Sequence, residues 1–339
     1  MTKQLCVFVF MVGCSSGVQT STSEQHGRGD DDGDGEPCPP YACSNSDELI
    51  HYGMHELNLR GEPNAQGVSL TSGPSGRAEI LKNGNSYDLY VENGFIVGKT
   101  GGVVTLAGAA LEGAQLVLTD EVDVVYTIWI QNVRVGEYPV GDPDPIEFYT
   151  MTWVGDGGTG DDNICNGVGS ALPDEHELLG MQEGETLVFE GDRIDPGPKT
   201  MSGSADDAWF NFGCAGHTLA KLRLTRNTVA HNNDWQGRQA TLKLLVADYC
   251  GNGTPYTVAG TPLRWRSDDM EYYPGAGGIE ARWTKNGAEC LSVPRLLLHP
   301  SELYEDIEAL IAAECSLPAC LPDIEDLEGA SRISANASW

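Results

Sequence analysis

Apolar and polar residues alternate along several stretches of this chain, and the alternation predicts strands. Tyr87, Leu89 and Val91 are separated by polar residues, and Asn93-Gly94 then precedes Phe95-Ile96-Val97. Alternation around an Asn-Gly pair predicts a β-hairpin, because both turn positions need a left-handed backbone. In residues 122–135 (VDVVYTIWIQNVRV), Val122, Val124, Tyr126, Ile128 and Ile130 share one face, with Val125 and Trp129 on the other. Apolar groups on both faces predict a central strand. IEFYTMTWV (146–154) reads the same way, and TLVFE (186–190), AWFNF (208–212) and GIEARWT (278–284) are further strand candidates. Between about Leu49 and Leu118, short Gly-punctuated units such as LNLRG and VVTLAG predict short strands with tight turns. Only two segments carry a helical period. Leu242, Leu245, Val246 and Tyr249 form one stripe in 236–249, and Leu303, Ile307, Leu310 and Ile311 another in 301–314, with Ser301 as its N-cap. The predicted class is α+β, strand-rich: mainly antiparallel sheet with a few short helices.

The N-terminus departs from this pattern. Lys3 precedes an apolar run from Leu5 to Val12, followed by Gly13, Cys14, Ser15 and Ser16. The run is far shorter than the ~20 residues a membrane-spanning helix needs, and it suits an export signal. Met11-Val12-Gly13-Cys14 resembles the lipobox of bacterial lipoproteins. That resemblance implies cleavage after Gly13 and acyl chains on Cys14, hence a bilayer as partner, with Ser15 implying the outer membrane. Residues 14–47 then read as an acidic tether, too poor in apolar groups to offset their ordering entropy. Asp30, Asp32 and Asp34 open a D-x-D-x-D-G match to a calcium loop. Tyr41 stands at the twelfth position, where a bidentate Glu is needed, so the segment reads as a solvated linker.

Charge narrows the choice of partners. Fifty acidic against 20 basic residues give a formal charge of −30, which repels nucleic acid. Of the ten Cys, Cys6 lies in the signal and Cys14 is the acylation candidate. The other eight are Cys38, Cys43, Cys165, Cys214, Cys250, Cys290, Cys315 and Cys320, an even set that predicts a disulfide framework in an exported chain. The short spacings of Cys38 to Cys43 and Cys315 to Cys320 could each close a small loop, but eight Cys allow about a hundred connectivities. No C-x-x-C pair occurs, so structural zinc is disfavoured and no cofactor is expected.

From Thr150 to about Arg295 a set of ordered motifs resembles the ADYC domain, a bacterial family named for one tetrapeptide. The motifs are TWVGDGGTGDDNIC, FEGDRIDPG, FNFGCAGHTLAK, Ala247-Asp248-Tyr249-Cys250 with the turn Gly251 to Thr254, AGTPLRW and IEARWTKNGAEC. The resemblance implies export and disulfides and no particular chemistry. It also implies that Leu222 and Thr241 stand where relatives carry Cys, as if one bridge had been lost as a unit. The expected organisation is a signal peptide (1–13), the lipidated Cys and tether (14–47), a strand-rich N-terminal part (48–149), the ADYC-like domain (150–298) and a C-terminal helix and tail (299–339).

Two residues carry the strongest hint of chemistry. Asp248 could act as a general acid or base, or could bind the amides of the turn that follows while Tyr249 packs and Cys250 forms a bridge. His217 could be a base or ligand, or a capping group. Trp129, Trp153, Trp209, Trp265 and Trp283 could floor a sugar groove or fill a core. No nucleophile elbow, P-loop, HExxH or dinucleotide fingerprint occurs. The favoured expectation is an exported, lipid-anchored envelope protein with a non-catalytic binding or structural module. The alternatives are a secreted hydrolase-like enzyme using Asp248 and His217, and a calcium-dependent surface binder.

Overall fold

A computed structural model describes residues 56–138, 144–154, 162–165, 181–258, 261, 263–267, 271–272, 278–299, 304–321 and 332–335. Cys14, Cys38, Cys43, Asp30, Asp32, Asp34 and Ser301 lie outside these residues. The described residues fall in the compact unit Gly35–Trp339.

The chain lays down β1 (Glu56–Asn58), β2 (Ser69–Leu70), β3 (Glu79–Lys82), β4 (Asn85–Glu92), β5 (Phe95–Thr100), β6 (Val103–Leu106), β7 (Gln115–Thr119), β8 (Val125–Glu137), β9 (Pro145–Val154), β10 (Asp162–Asn163) and β11 (Glu185–Gly191). A small hairpin, β12 (Ile194–Asp195) and β13 (Thr200–Met201), precedes β14 (Asp206–Cys214). Helices α1 (Thr218–Leu224) and α2 (Trp235–Leu245) follow. Next come β15 (Arg264–Arg266), β16 (Glu271–Tyr272), β17 (Ile279–Thr284), β18 (Gly287–Leu291), α3 (Ile307–Glu314) and β19 (Arg332–Ala335).

Twelve of the strands form one antiparallel sheet, ordered β1-β14-β11-β9-β8-β7-β3-β4-β5-β6, with β10 on β9 and β2 on β7. The sheet curls back on itself. Leu59, just past β1, donates to Ala208 O at 2.6 Å, and its own carbonyl accepts from Ala78 N, at the head of β3, at 2.7 Å. A ring of strands therefore closes around one apolar cluster that includes Leu57, Ile80, Leu89, Leu116, Ile128, Ile130, Met151 and Phe212.

The alternation in β8 places Ile128 and Ile130 inside as expected. A register shift between Ile130 and Asn132 then moves the inward position to Val133. Val122 is 70% exposed because residues 120–124 form the turn before the strand, held by Asp120 Oδ1 accepting from Val122 N and Val124 N. Asn93 and Gly94 have φ of +54° and +76° and join β4 to β5, as the Asn-Gly pair predicts.

The second sheet is ordered β16-β15-β19-β17-β18, so a strand from residues 332–335 sits at its centre. Together with α2 and α3 it encloses a second cluster, built from Leu242, Leu245, Tyr249, Trp265, Trp283 and Ile311 among others. Three disulfides lie among the described residues: Cys165–Cys214, Cys250–Cys315 and Cys290–Cys320. Cys315 and Cys320 do not close a local loop. Each reaches back to the family-like segment and ties the chain around α3 onto it.

Candidate functional site

The strongest sequence motif sits at the end of α2. Asp234 caps the start of that helix, its Oδ1 accepting from Gln236 N at 3.0 Å. Leu242 and Leu245 are buried on the helix, as the period predicts, but the helix stops at Leu245: Val246 is its C-cap, and Tyr249 lies past its end and is buried from the turn. The long polar side chains of the helix are buried too: Arg238, Gln239 and Lys243 are at most 2% exposed. Each has a partner from the turn that carries the FEGDRIDPG residues. Arg238 grips Asp192 through two bonds of 2.7 Å, and Gln239 bonds Met201 N and Lys199 O. Burial pushes the Asp192 carboxyl up, and Arg238 opposes that shift.

The helix ends in a Schellman arrangement, with Ala247 N donating to Leu244 O and Asp248 N to Lys243 O. Ala247 therefore holds the left-handed position, at φ +52°, where glycine is usual. Asp248 is fully buried. Its Oδ2 accepts from Lys243 Nζ at 2.5 Å and from Gly253 N at 2.9 Å. Lys243 also bonds Pro198 O at 2.7 Å. The turn that follows is tight: a Cβ on Gly251 would lie 1.8 Å from Asn286 O, and one on Gly253 would lie 2.2 Å from Gly197 O.

Tyr249 stacks on Trp283 with ring centroids 5.1 Å apart and donates its hydroxyl to Glu280 at 2.5 Å. Glu280 also pairs with Arg295 through bonds of 2.7 and 2.9 Å. Burial drives the Tyr249 phenol well above its ordinary value, and Glu280 adds to that rise. Burial works against the Arg295 charge, but Glu280 and Tyr249 outweigh it and the net shift is upward. Cys250 closes the bridge to Cys315. All four tetrapeptide residues thus have interior roles: a helix stop, a turn anchor, a ring-stacked hydrogen bond and a covalent tie.

His217 occupies the N-cap of α1 but makes no side-chain cap bond, and it is 1% exposed. It is an interior residue, like Asp248. Trp209, Trp265 and Trp283 are core residues at 3%, 5% and 0% exposure, so they floor no groove; Trp129 and Trp153 are half-buried. Leu222 and Thr241 are both fully buried, on α1 and α2. Asn227 links them, its N donating to Leu222 O and its Oδ1 accepting from Thr241. Among the described residues no group of three or more His, Cys, Asp or Glu could hold a metal ion.

Sequence reasoning missed the partners of the motif. Lys243, Glu280 and Arg295 read as ordinary helix or strand polar residues. The one available signal was the presence of two cations, Arg238 and Lys243, in a helix that also carries an apolar stripe.

Residues 108–297 match the family model described as ADYC domain. No curated protein and no solved structure matches.

Proposed function

The chain belongs to the ADYC domain family, and from that premise we propose that it is an exported, lipid-anchored envelope protein whose folded part is a non-catalytic binding or structural module. One observation carries the second half of this reading: the acid of the family tetrapeptide is sealed inside the fold and ion-paired to Lys243. A general acid or base must reach a substrate proton, and Asp248 is fully buried: Oδ2 is taken by an ammonium and an amide, and Oδ1, which has no hydrogen-bond partner among the described residues, is enclosed with it. This weighs against the hydrolase reading.

Export is supported by three bridges among the described residues, since disulfides persist in oxidising compartments. No described helix is long and apolar enough to cross a membrane. The membrane attachment proposed here rests on the Met11–Cys14 motif, with Cys14 held in the outer membrane by its acyl chains. The test is intact mass spectrometry of protein purified from membranes, with and without reductant. The expected mass lacks residues 1–13, carries diacylglycerol, and rises on reduction by the hydrogens of fully paired Cys. A mass that retains residues 1–13 without lipid would overturn the reading.

A further inference from the structure

Helix α1 ends by the same device as α2. Arg226 N donates to Arg223 O at 3.1 Å and Asn227 N to Leu222 O at 2.8 Å, which leaves Arg226 at φ +56°. An L-residue in that left-handed position costs about 1–2 kcal/mol, and glycine would avoid the cost. The arginine side chain lies 4.3 Å over the ring of Tyr138 and pairs with Asp144 Oδ2 at 3.1 Å. The Asp144 side chain is 61% exposed, so this is a surface partner.

Arg223 lies beside it. This residue is 1% exposed and has no carboxylate within ion-pair distance among the described residues. Nη2 donates to Asn93 O at 2.7 Å, Nη1 lies 3.2 Å from His231 Nδ1, and Nε has no partner among the described residues. Glu190, the carboxylate whose charge acts on Arg223, is committed to the amides of Asn93 and Gly94. Tyr138 completes the group: its hydroxyl is 3.2 Å from His231 Nε2. Burial pushes the Tyr138 phenol up to about 12, so it keeps its proton as a donor. Burial, with Arg223 and Arg226 beside it, holds His231 down at about 4, so the ring is neutral. A buried guanidinium bonded only to neutral groups is costly unless an anion joins it. In a chain of charge −30 such a cluster of cations stands out.

We propose that Arg223, Arg226 and Tyr138 form a binding site for an anionic oxygen group, a carboxylate or a phosphate, and that the Asp144 carboxylate is its internal stand-in. Two guanidiniums and a phenol match the donor needs of such an oxyanion. The strained backbone at Arg226 is retained for its side chain.

The test is calorimetric titration of the full chain with inorganic phosphate and, separately, with acetate, against chloride at equal ionic strength. Saturable binding of at least one is expected, and the two probes separate a phosphate ligand from a carboxylate ligand. Asp144→Asn removes the competing carboxylate and tightens binding by about threefold or more. Arg226→Gly weakens binding by about tenfold or more, while the melting temperature stays the same or rises because the left-handed strain is relieved. Absence of saturable binding with both probes, unchanged binding in Arg226→Gly, or weaker binding in Asp144→Asn would each overturn the proposal.

Discussion

The strand ring and the helical region solve the same problem, burying a core, by different means. Inside the ring the cluster is apolar, and the ion pairs attached to its strands each keep one solvated partner: Arg134 with Glu185 is 30% exposed, Arg193 with Glu56 is 41% exposed, and in Lys99 with Glu92 the glutamate is 44% exposed. Around α2 the pairs are dry on both sides. Arg238 with Asp192, Lys243 with Asp248, and Arg295 with Glu280 are all at most 3% exposed. An apolar interior tolerates many substitutions of similar volume, whereas a buried ion pair fails when either partner is changed. The family tetrapeptide lies in the helical region, where polar partners at fixed places constrain residue identity, whereas strand packing constrains mainly size.

The largest expected effect comes from breaking one of the dry pairs. Asp248→Asn leaves the Lys243 ammonium without a counter-charge in the interior and costs about 3–5 kcal/mol, read as a shift of the urea midpoint. A loss below about 1 kcal/mol, the size of an exposed pair, would show that the two regions do not differ in this way.

A second test uses pH. His231 is held at about 4 in the fold, by burial first and then by Arg223 and Arg226, with Asp144 opposing and Tyr138 also facing the ring. The unfolded chain takes up a proton near the ordinary value of about 6.5. Below that pH the unfolded state binds more protons than the folded one. Stability therefore falls as pH drops from about 6.5 to about 4, by at most about 3 kcal/mol and by less to the extent that solvent screens the half-buried ring, and this contribution is flat below that window. In His231→Gln that part of the fall disappears. Parallel pH–stability curves for the two proteins would remove His231 from the account.

The smallest effect belongs to the ring. Ile130→Val deletes one methyl group from the apolar cluster and costs about 0.5–1.5 kcal/mol, with the same value at pH 5 and pH 8. A pH-dependent cost there would mean that the two cores are electrostatically coupled and the contrast too sharp.

Much of the ring is legible in the residue pattern. Tyr87 to Val97 forms a hairpin because Asn-Gly tolerates the left-handed turn, and Ile128 and Ile130 face inward because strand alternation is strictly local. Val122 departs from the pattern for an equally local reason: Asp120 captures the amides of Val122 and Val124 and makes a turn of the first expected strand residues. The turn-anchoring role considered for Asp248 is readable from the glycines after it, since the amide of Gly253 is what it holds.

What the sequence alone determined were the properties that depend on near neighbours or on composition: strand alternation, the inward Leu242 and Leu245 of α2, the Asn-Gly turn, a charge that repels nucleic acid, and a parity of thiols that suits bridging. What only the tertiary structure decided were the pairings between distant residues. These include Cys250 with Cys315, Glu280 with Arg295, Leu59 closing the ring onto Ala78, and residues 332–335 entering the middle of the second sheet. The physical reason is that a local pattern states which face of an element is apolar, while the identity of the partner across that face depends on how the whole chain returns to it.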